Sequence, residues 1–516
     1  MIFVVPLAFW EQICYNIAPM KRYWFLAAFG FVMLAFAAVW LGALNQDEGW
    51  YLYAARLVSE GKTPYRDFFY TQAPVMPVVY AAFTSVWNSF GLLGARILTI
   101  VIGALGLAFF CALAARLVAP GRRALAALAV FLLLGSNLYH LYYVAIPKTY
   151  ALASLFVAIG FFLLTFARTP TLRGGVFAFV SGLSLAFACG TRISLGVILV
   201  VVGLGLLLSI RTWGKAFLWF GLGGAFGLAV VYGFFLCDPT ARAGLFAAQA
   251  YHAARGGFDP VFTVGSVSRL VRWYLPVFVL LGLGFAHRSE AGGEIDAVLV
   301  ARLAFASVVA VFLVQMLAPF PYEDYQVPVM GLLAVFAVVL FFGRPASVPS
   351  RGLLLTLGLA WAASFGSPLL EKWTTNGQDR FWTHKKEQCE LAQLRDVART
   401  IEEEDPNGDM LLTQDLYLAI ETGRKVPAGL EMGPFSMLSD EEWRKLLSSA
   451  PCKMAALSGY SFAINPPRCD EVPIDRQIEY WSLLKKDYDL VMREDAFGQN
   501  ATALLILKRK ADRTDR

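Results

Sequence analysis

For its first 370 residues the chain alternates long apolar runs with short polar breaks, and then its character changes. A helix needs about 20 mostly apolar residues to cross the hydrocarbon core of a bilayer. Eleven stretches read as such helices: Tyr23–Leu44, Leu92–Ala115, Ala124–Tyr142, Pro147–Ala167, Gly174–Gly190, Ile193–Ile210, Ala216–Leu236, Trp273–His287, Val298–Leu317, Val327–Gly343 and Gly352–Leu370. The fifth and eighth are short. Asn45 and Gln46 end the first stretch with no small-residue cleavage site behind them, so it reads as a spanning anchor and not a removable signal. Beyond Leu370 the pattern is that of a small α/β unit. Leu391–Glu404 is an amphipathic helix, and Pro406-Asn407-Gly408 turns the chain into a strand, Met410–Thr413. Helices follow at Leu416–Thr422, stopped by Gly423, and at Asp440–Ser448, capped by Ser439; Met454–Leu457, Leu490–Met492 and Ala503–Leu507 are strands. The predicted fold is a polytopic α-helical membrane protein, with about 11 transmembrane helices in residues 1–370. A C-terminal α/β soluble domain occupies residues 371–516.

Charge sharpens the division. Of the 82 Asp, Glu, Lys and Arg residues, 47 lie after Leu370. Charged residues make up 16% of the chain and hydrophobic ones 58%, against about 25% charged in a soluble globular protein. A soluble enzyme and a disordered chain are both excluded. The net charge of +6 calls for no nucleic acid, because basic loops facing an anionic leaflet account for it. With Lys21 and Arg22 inside, the alternate connections hold Arg116/Arg122/Arg123, Arg168/Arg173, Arg211/Lys215, Arg288 and Arg344/Arg351, all basic. The opposite short connections hold Lys148, Arg192 or the acids Glu323 and Asp324. The positive-inside rule then sets the N-terminus in the cytoplasm of an integral inner (cell) membrane protein, with the C-terminal domain periplasmic or extracellular. In that compartment Cys452 and Cys469 could pair. No Cys/His spacing suits zinc.

The connection 45–91, NQDEGWYLYAARLVSEGKTPYRDFFYTQAPV and onward, is the most informative stretch. Trp50, Tyr51, Tyr53, Ala54, Leu57 and Val58 recur at helical spacing, as in a segment lying in the membrane interface with its aromatics at headgroup depth. Asp47 and Glu48 are adjacent carboxylates crowded by those rings. Two acids at the start of a helix are ordinarily solvated charges that favour the helix dipole. Partial desolvation at a membrane surface instead makes Asp47 a candidate general base. A sugar carried on a polyprenyl phosphate sits at this depth. Moving it to a hydroxyl needs one base and cations for the departing phosphate, with no separate acid. A divalent ion (Mg or Mn) held by Asp47 and Glu48 could assist. A transporter or flippase of lipid-linked glycans is the rival from another class, calling for charges near the midplane or broken helices. A noncatalytic scaffold is a third.

DEGWYLYAARLVSEGKTPYRDFFYTQAPV and the following GARILTIVIGALG resemble the GT-C glycosyltransferase superfamily. The branch is that of bacterial enzymes related to dolichyl-phosphate-mannose–protein mannosyltransferases, which includes aminoarabinose and rhizobial galacturonic acid transferases of lipopolysaccharide. The resemblance spans roughly residues 1–370 and is clearest in the first 120. It implies an inverting transfer from a polyprenyl-phosphate sugar donor to a hydroxyl of a membrane lipid, glycan or protein. Asp47 matches the family's essential acid after the first span, with Glu48 beside it. Gln72-Ala73-Pro74 stands where the family often has a His-Pro-Pro-like element. The phosphate-side candidates are Arg66, Lys62, Arg96, Lys148 and Arg192, the last resembling a Lys or Arg that closes the fifth span. Tyr325 lies in an element resembling the aromatic residue that precedes Leu-Pro. Each cation has a plainer role open to it, since Arg and Lys at span ends commonly snorkel to headgroups.

Overall fold

The computed structural model describes residues 20–168, 171–254, 259–286, 295–318, 320–342, 351–364, 389–436, 438–458, 474–499 and 501–510. Arg288, Arg344 and Cys469 of the sequence reading lie outside them.

The first apolar run forms α1 (Lys21–Leu41), and the chain re-enters a helix almost at once as α2 (Gln46–Ser59). Asn45 starts α2 with a reciprocal cap. Its side chain accepts the Asp47 N–H at 3.1 Å, while the Glu48 carboxylate accepts the Asn45 N–H at 2.8 Å. After α3 (Val75–Ala81) comes α4 (Thr84–Leu117), which turns sharply at Gly91, where φ is +62°. α5 (Arg123–Gly135) and α6 (Leu138–Ala145) are limbs of one apolar stretch bent by 75°. Then follow α7 (Thr149–Leu164), α8 (Leu172–Thr191), α9 (Gly196–Leu208), α10 (Ala216–Cys237) and α11 (Pro239–Ala253). α12 (Pro260–Trp273) and α13 (Leu275–Ala286) form a second bent pair, at 82°. α14 (Ile295–Met316), α15 (Val327–Phe342) and α16 (Arg351–Ala363) complete the bundle.

Among the described residues six helices are long and apolar enough to cross a membrane. The eleven apolar stretches divide into those six, the two bent pairs, and three shorter apolar helices at Thr149–Leu164, Ile193–Leu208 and Arg351–Ala363. Leu218, Leu222, Phe226, Val230 and Phe234, four residues apart, make an exposed stripe down α10, as a lipid-facing surface requires.

The C-terminal unit comprises α17 (Glu390–Glu404), β1 (Leu411–Leu412), α18 (Leu416–Glu421), α19 (Asp440–Ser449), β2 (Met454–Ser458), α20 (Ile474–Asp487), β3 (Tyr488–Phe497) and β4 (Thr502–Arg509). The sheet runs β1-β2-β4-β3, with β1 parallel to β2 and the other pairs antiparallel; Ala455 faces Leu507. All five residues of β2 are buried, so the sheet is covered on both faces at that strand, whereas the edge strand β3 is largely exposed. Cys452, just before β2, is a buried free thiol.

The aromatics of α2 face protein and not solvent: Trp50, Tyr51 and Tyr53 are each 3% exposed or less, Trp50 and Tyr53 under the C-terminal unit and Tyr51 beside Lys148, Arg192 and Thr149 of the bundle. Trp50 meets Phe435 edge-on at 6.1 Å, and the Tyr53 hydroxyl accepts the Val426 N–H at 3.0 Å. The α18 backbone comes so close to Gly49 that a Cβ there would stand 2.3 Å from the Tyr417 nitrogen. Glu390 accepts the Leu44 N–H, and Glu421 accepts the Leu92 N–H at 2.8 Å where α4 restarts beyond its kink.

Candidate functional site

Asp47 sits in the first turn of α2, Lys148 immediately before α7, and Arg192 where α8 gives way to a 3-10 turn (Ile193–Leu195). Asp324 and Tyr325 lie on another 3-10 turn, Glu323–Gln326, leading into α15. Helix ends bring these side chains together at the end of the bundle that carries the C-terminal unit. The Lys148 ammonium is buried between two carboxylates, 2.8 Å from Asp47 Oδ2 and 3.3 Å from Asp324 Oδ2. Asp47 also accepts the Trp50 indole N–H at 3.1 Å, and Asp324 accepts the Tyr150 hydroxyl at 2.7 Å. Asp47 is the more open acid, with 27% of its side chain exposed against 10% for Asp324.

Arg192 completes the cluster from the other side. Its guanidinium lies over the rings of Tyr325 at 4.3 Å and Tyr150 at 5.1 Å, which holds the charge in place without consuming its donors. Among the described residues its one hydrogen bond to a side chain is a long one, 3.5 Å to the Thr149 hydroxyl, and its buried Nε has no partner. Tyr51 closes the floor; burial first, and then the neighbouring Asp47, push its hydroxyl pKa up, so it stays a neutral donor. A buried cation with an unused donor, beside a partly open carboxylate, is suited to gripping an anion while the acid handles a proton.

Glu48 and Arg96 are brought together elsewhere, in a fully buried pair. All five guanidinium N–H groups of Arg96 are used. Two go to Glu48, at 2.6 and 2.7 Å, and three to the carbonyls of Val39, Gly42 and Ala43 at the end of α1. That leaves no donor for a ligand. Arg66 is exposed and forks onto its neighbour Asp67 at 3.0 Å, and Lys62 is exposed on the same connection. No contact joins either to the Asp47 cluster. Asp324, which the sequence leaves open between a ligand for an ion or acceptor hydroxyl and a plain loop charge, is a full member of the cluster, bound to Lys148 and Tyr150.

Asp47 and Glu48 do not fit a shared divalent ion. The oxygens of Glu48 are taken by Arg96 and the Asn45 N–H, and the ammonium of Lys148 stands in the position beside Asp47 that a metal would need. Among the described residues no group of three or more His, Cys, Asp or Glu side chains could hold a metal ion.

No family model and no curated protein sequence matches the chain. Solved structures do. ArnT from Cupriavidus metallidurans bound to undecaprenyl phosphate superimposes with a TM-score of 0.61 at 13% identity, over 95% of this chain and 99% of that one. The same protein in its apo state gives 0.56 at 15% identity, over 95% and 98%. The archaeal oligosaccharyltransferase AglB from Archaeoglobus fulgidus, in complex with an inhibitory peptide and a dolichol-phosphate, gives 0.44 at 11%, over 96% and 75%. The fold is the GT-C fold that the resemblance implies.

Proposed function

We propose that this chain is an integral-membrane, inverting glycosyltransferase. It moves a sugar from a polyprenyl-phosphate donor to a hydroxyl of a lipid, glycan or protein on the face of the membrane opposite its N-terminus. Residues 1–370 form the transferase module, and residues 371–516 an extracytoplasmic domain that braces α2. The observation that carries the reading is the Asp47–Lys148–Asp324 array with Arg192 beside it, in a chain with the fold of a protein solved with undecaprenyl phosphate.

In the proposed reaction the acceptor oxygen bonds to the anomeric carbon as the bond from that carbon to the phosphate oxygen breaks. Asp47 takes the hydroxyl proton. The electron pair leaves with the phosphate, whose added negative charge is met by Arg192 and Lys148. One displacement from the face opposite the phosphate inverts the anomeric centre. Asp324 and Tyr150 hold Lys148 at the join between base and leaving group, and Tyr325 aims Arg192. Glu48 and Arg96 act as scaffold, tying α2 to the end of α1.

The test is transfer by purified protein supplied with synthetic polyprenyl-phosphate hexoses and pentoses and an envelope extract as acceptor. Asp47→Asn should fold normally and lose about 10²–10⁴-fold in turnover. Full activity in that variant would exclude Asp47 as the base. The flippase reading draws on the two broken helices. It requires donor translocation in proteoliposomes that survives Asp47→Asn.

A further inference from the structure

Where the C-terminal unit meets the start of α4, away from the Asp47 cluster, the surface opens into a cleft of about 540 Å³. That lies within the roughly 300–1,000 Å³ typical of small-molecule sites. Both halves of the protein build it. The bundle side supplies Arg56 and the stretch Trp87 to Gly91, and the C-terminal unit supplies Arg395, Glu402 and the end of α18 around Glu421. From this lining we infer a binding site for the neutral, polyhydroxylated part of a glycan, as the remote subsite of the acceptor; the inference rests on the transferase reading above.

The chemistry of the walls selects the ligand. The charged lining residues are two arginines and two glutamates, so the cleft carries no net charge to attract a phosphate. Both guanidiniums are also committed. Arg56 donates to the carbonyls of Gly423 at 2.7 Å and Arg424 at 3.0 Å, and Arg395 donates to Glu421 at 3.2 Å. Asn88, Ser89 and Glu402 are exposed on the cleft and offer neutral donors and acceptors together with a carboxylate, the mix that sugar hydroxyls use. Trp87, whose ring packs on Tyr80 beneath the wall, is buried, and its indole N–H has no partner among the described residues. Exposed amide, hydroxyl and carboxylate groups on the cleft suit sugar hydroxyls better than an acyl chain. Asp47 and Arg56 share α2 and are nine residues apart, so the cleft begins about 14 Å along that helix from the reaction centre. An acceptor whose reacting hydroxyl lies at Asp47 would reach this cleft only with further rings attached.

Filling the cleft tests this. Full-length protein in detergent is mixed with a panel of short neutral gluco-, manno- and galacto-oligosaccharides, and saturation transfer from protein to sugar is recorded by NMR. Transfer to at least one member is expected, falling at least about ten-fold in the double variant Asn88→Trp, Glu402→Trp. Transfer to none, or transfer undiminished in the filled variant, overturns the proposal. Hydrolysis of the polyprenyl-phosphate sugars, with water standing in for the acceptor, is followed in the same samples. The filled variant should keep the parental hydrolysis rate, which shows that its Asp47 centre is folded. A parent that hydrolyses donor but takes up no sugar counts against the cleft alone, whereas uptake without hydrolysis counts against the transferase reading.

Discussion

Two buried arginines show how differently one side chain can be used. Arg96 spends every donor on protein acceptors, whereas Arg192 rests on two tyrosine rings and keeps a donor in reserve. Their alanine variants should therefore behave in opposite ways. Arg96→Ala strands the Glu48 carboxylate in the interior, at a cost of about 3–5 kcal/mol, and the unfolding midpoint in detergent should drop or the protein fail to accumulate. Arg192→Ala should leave the midpoint unchanged while kcat/KM for the donor falls about 10²–10³-fold. Equal losses of stability in the two variants would contradict this division of roles. Cys452 gives a pH-dependent readout. Burial, with the Asp409 charge adding to it, pushes its thiol pKa from near 9 up to about 12. A raised folded-state pKa stabilises the neutral form, so this contribution is whole below pH 9 and drains away as pH climbs towards 12. Iodoacetamide at pH 8 should leave Cys452 unmodified in the native protein and alkylate it after denaturation, as read by peptide mass spectrometry.

At the scale of elements, period and capping signals made much of the fold legible. Ser439 caps α19 with a full capping box, and the three strands expected at Met454, Leu490 and Ala503 lie within β2, β3 and β4. The bends were not legible. Gly135, the N-cap Asn137 and Pro276 flank the breaks, but what fixes the angle is the pairing of one break with the other: the Asn137 side-chain amide donates to the Trp273 carbonyl at 2.8 Å, and His140 pairs with the Tyr274 hydroxyl at 3.0 Å. Such partners, more than 130 residues apart in the chain, leave no local trace. The kink at Gly91 is likewise set from a distance. A Cβ there would stand 2.2 Å from the Glu421 carboxylate, in a left-handed conformation that side chains resist. Gly91→Ala should cost at least about 1 kcal/mol and loosen the α18 contact, seen as faster amide exchange in Leu416–Glu421. Unchanged exchange would mean that the cap is dispensable. The site was half legible. Asp47 announced itself by following the first span, while its coupling to Asp324 through Lys148 depends on turns that only the folded bundle brings together.

For the molecule as a whole, the C-terminal unit covers the helix that carries Asp47. Residues 1–370 made alone would expose Trp50 and Tyr53, a patch that invites aggregation. That fragment should elute in the void volume on size exclusion, and co-expression with a separate 371–516 chain should restore a monodisperse, co-purifying pair; a well-behaved lone fragment would argue that the cover is incidental. The bond between Leu44 and Glu390 joins positions 346 residues apart. A ribosome supplies the partner of Leu44 only once Glu390 has been made. Every nascent chain therefore passes through most of its synthesis with the start of α2 unbraced, and a product terminated before Glu390 never gains that bond.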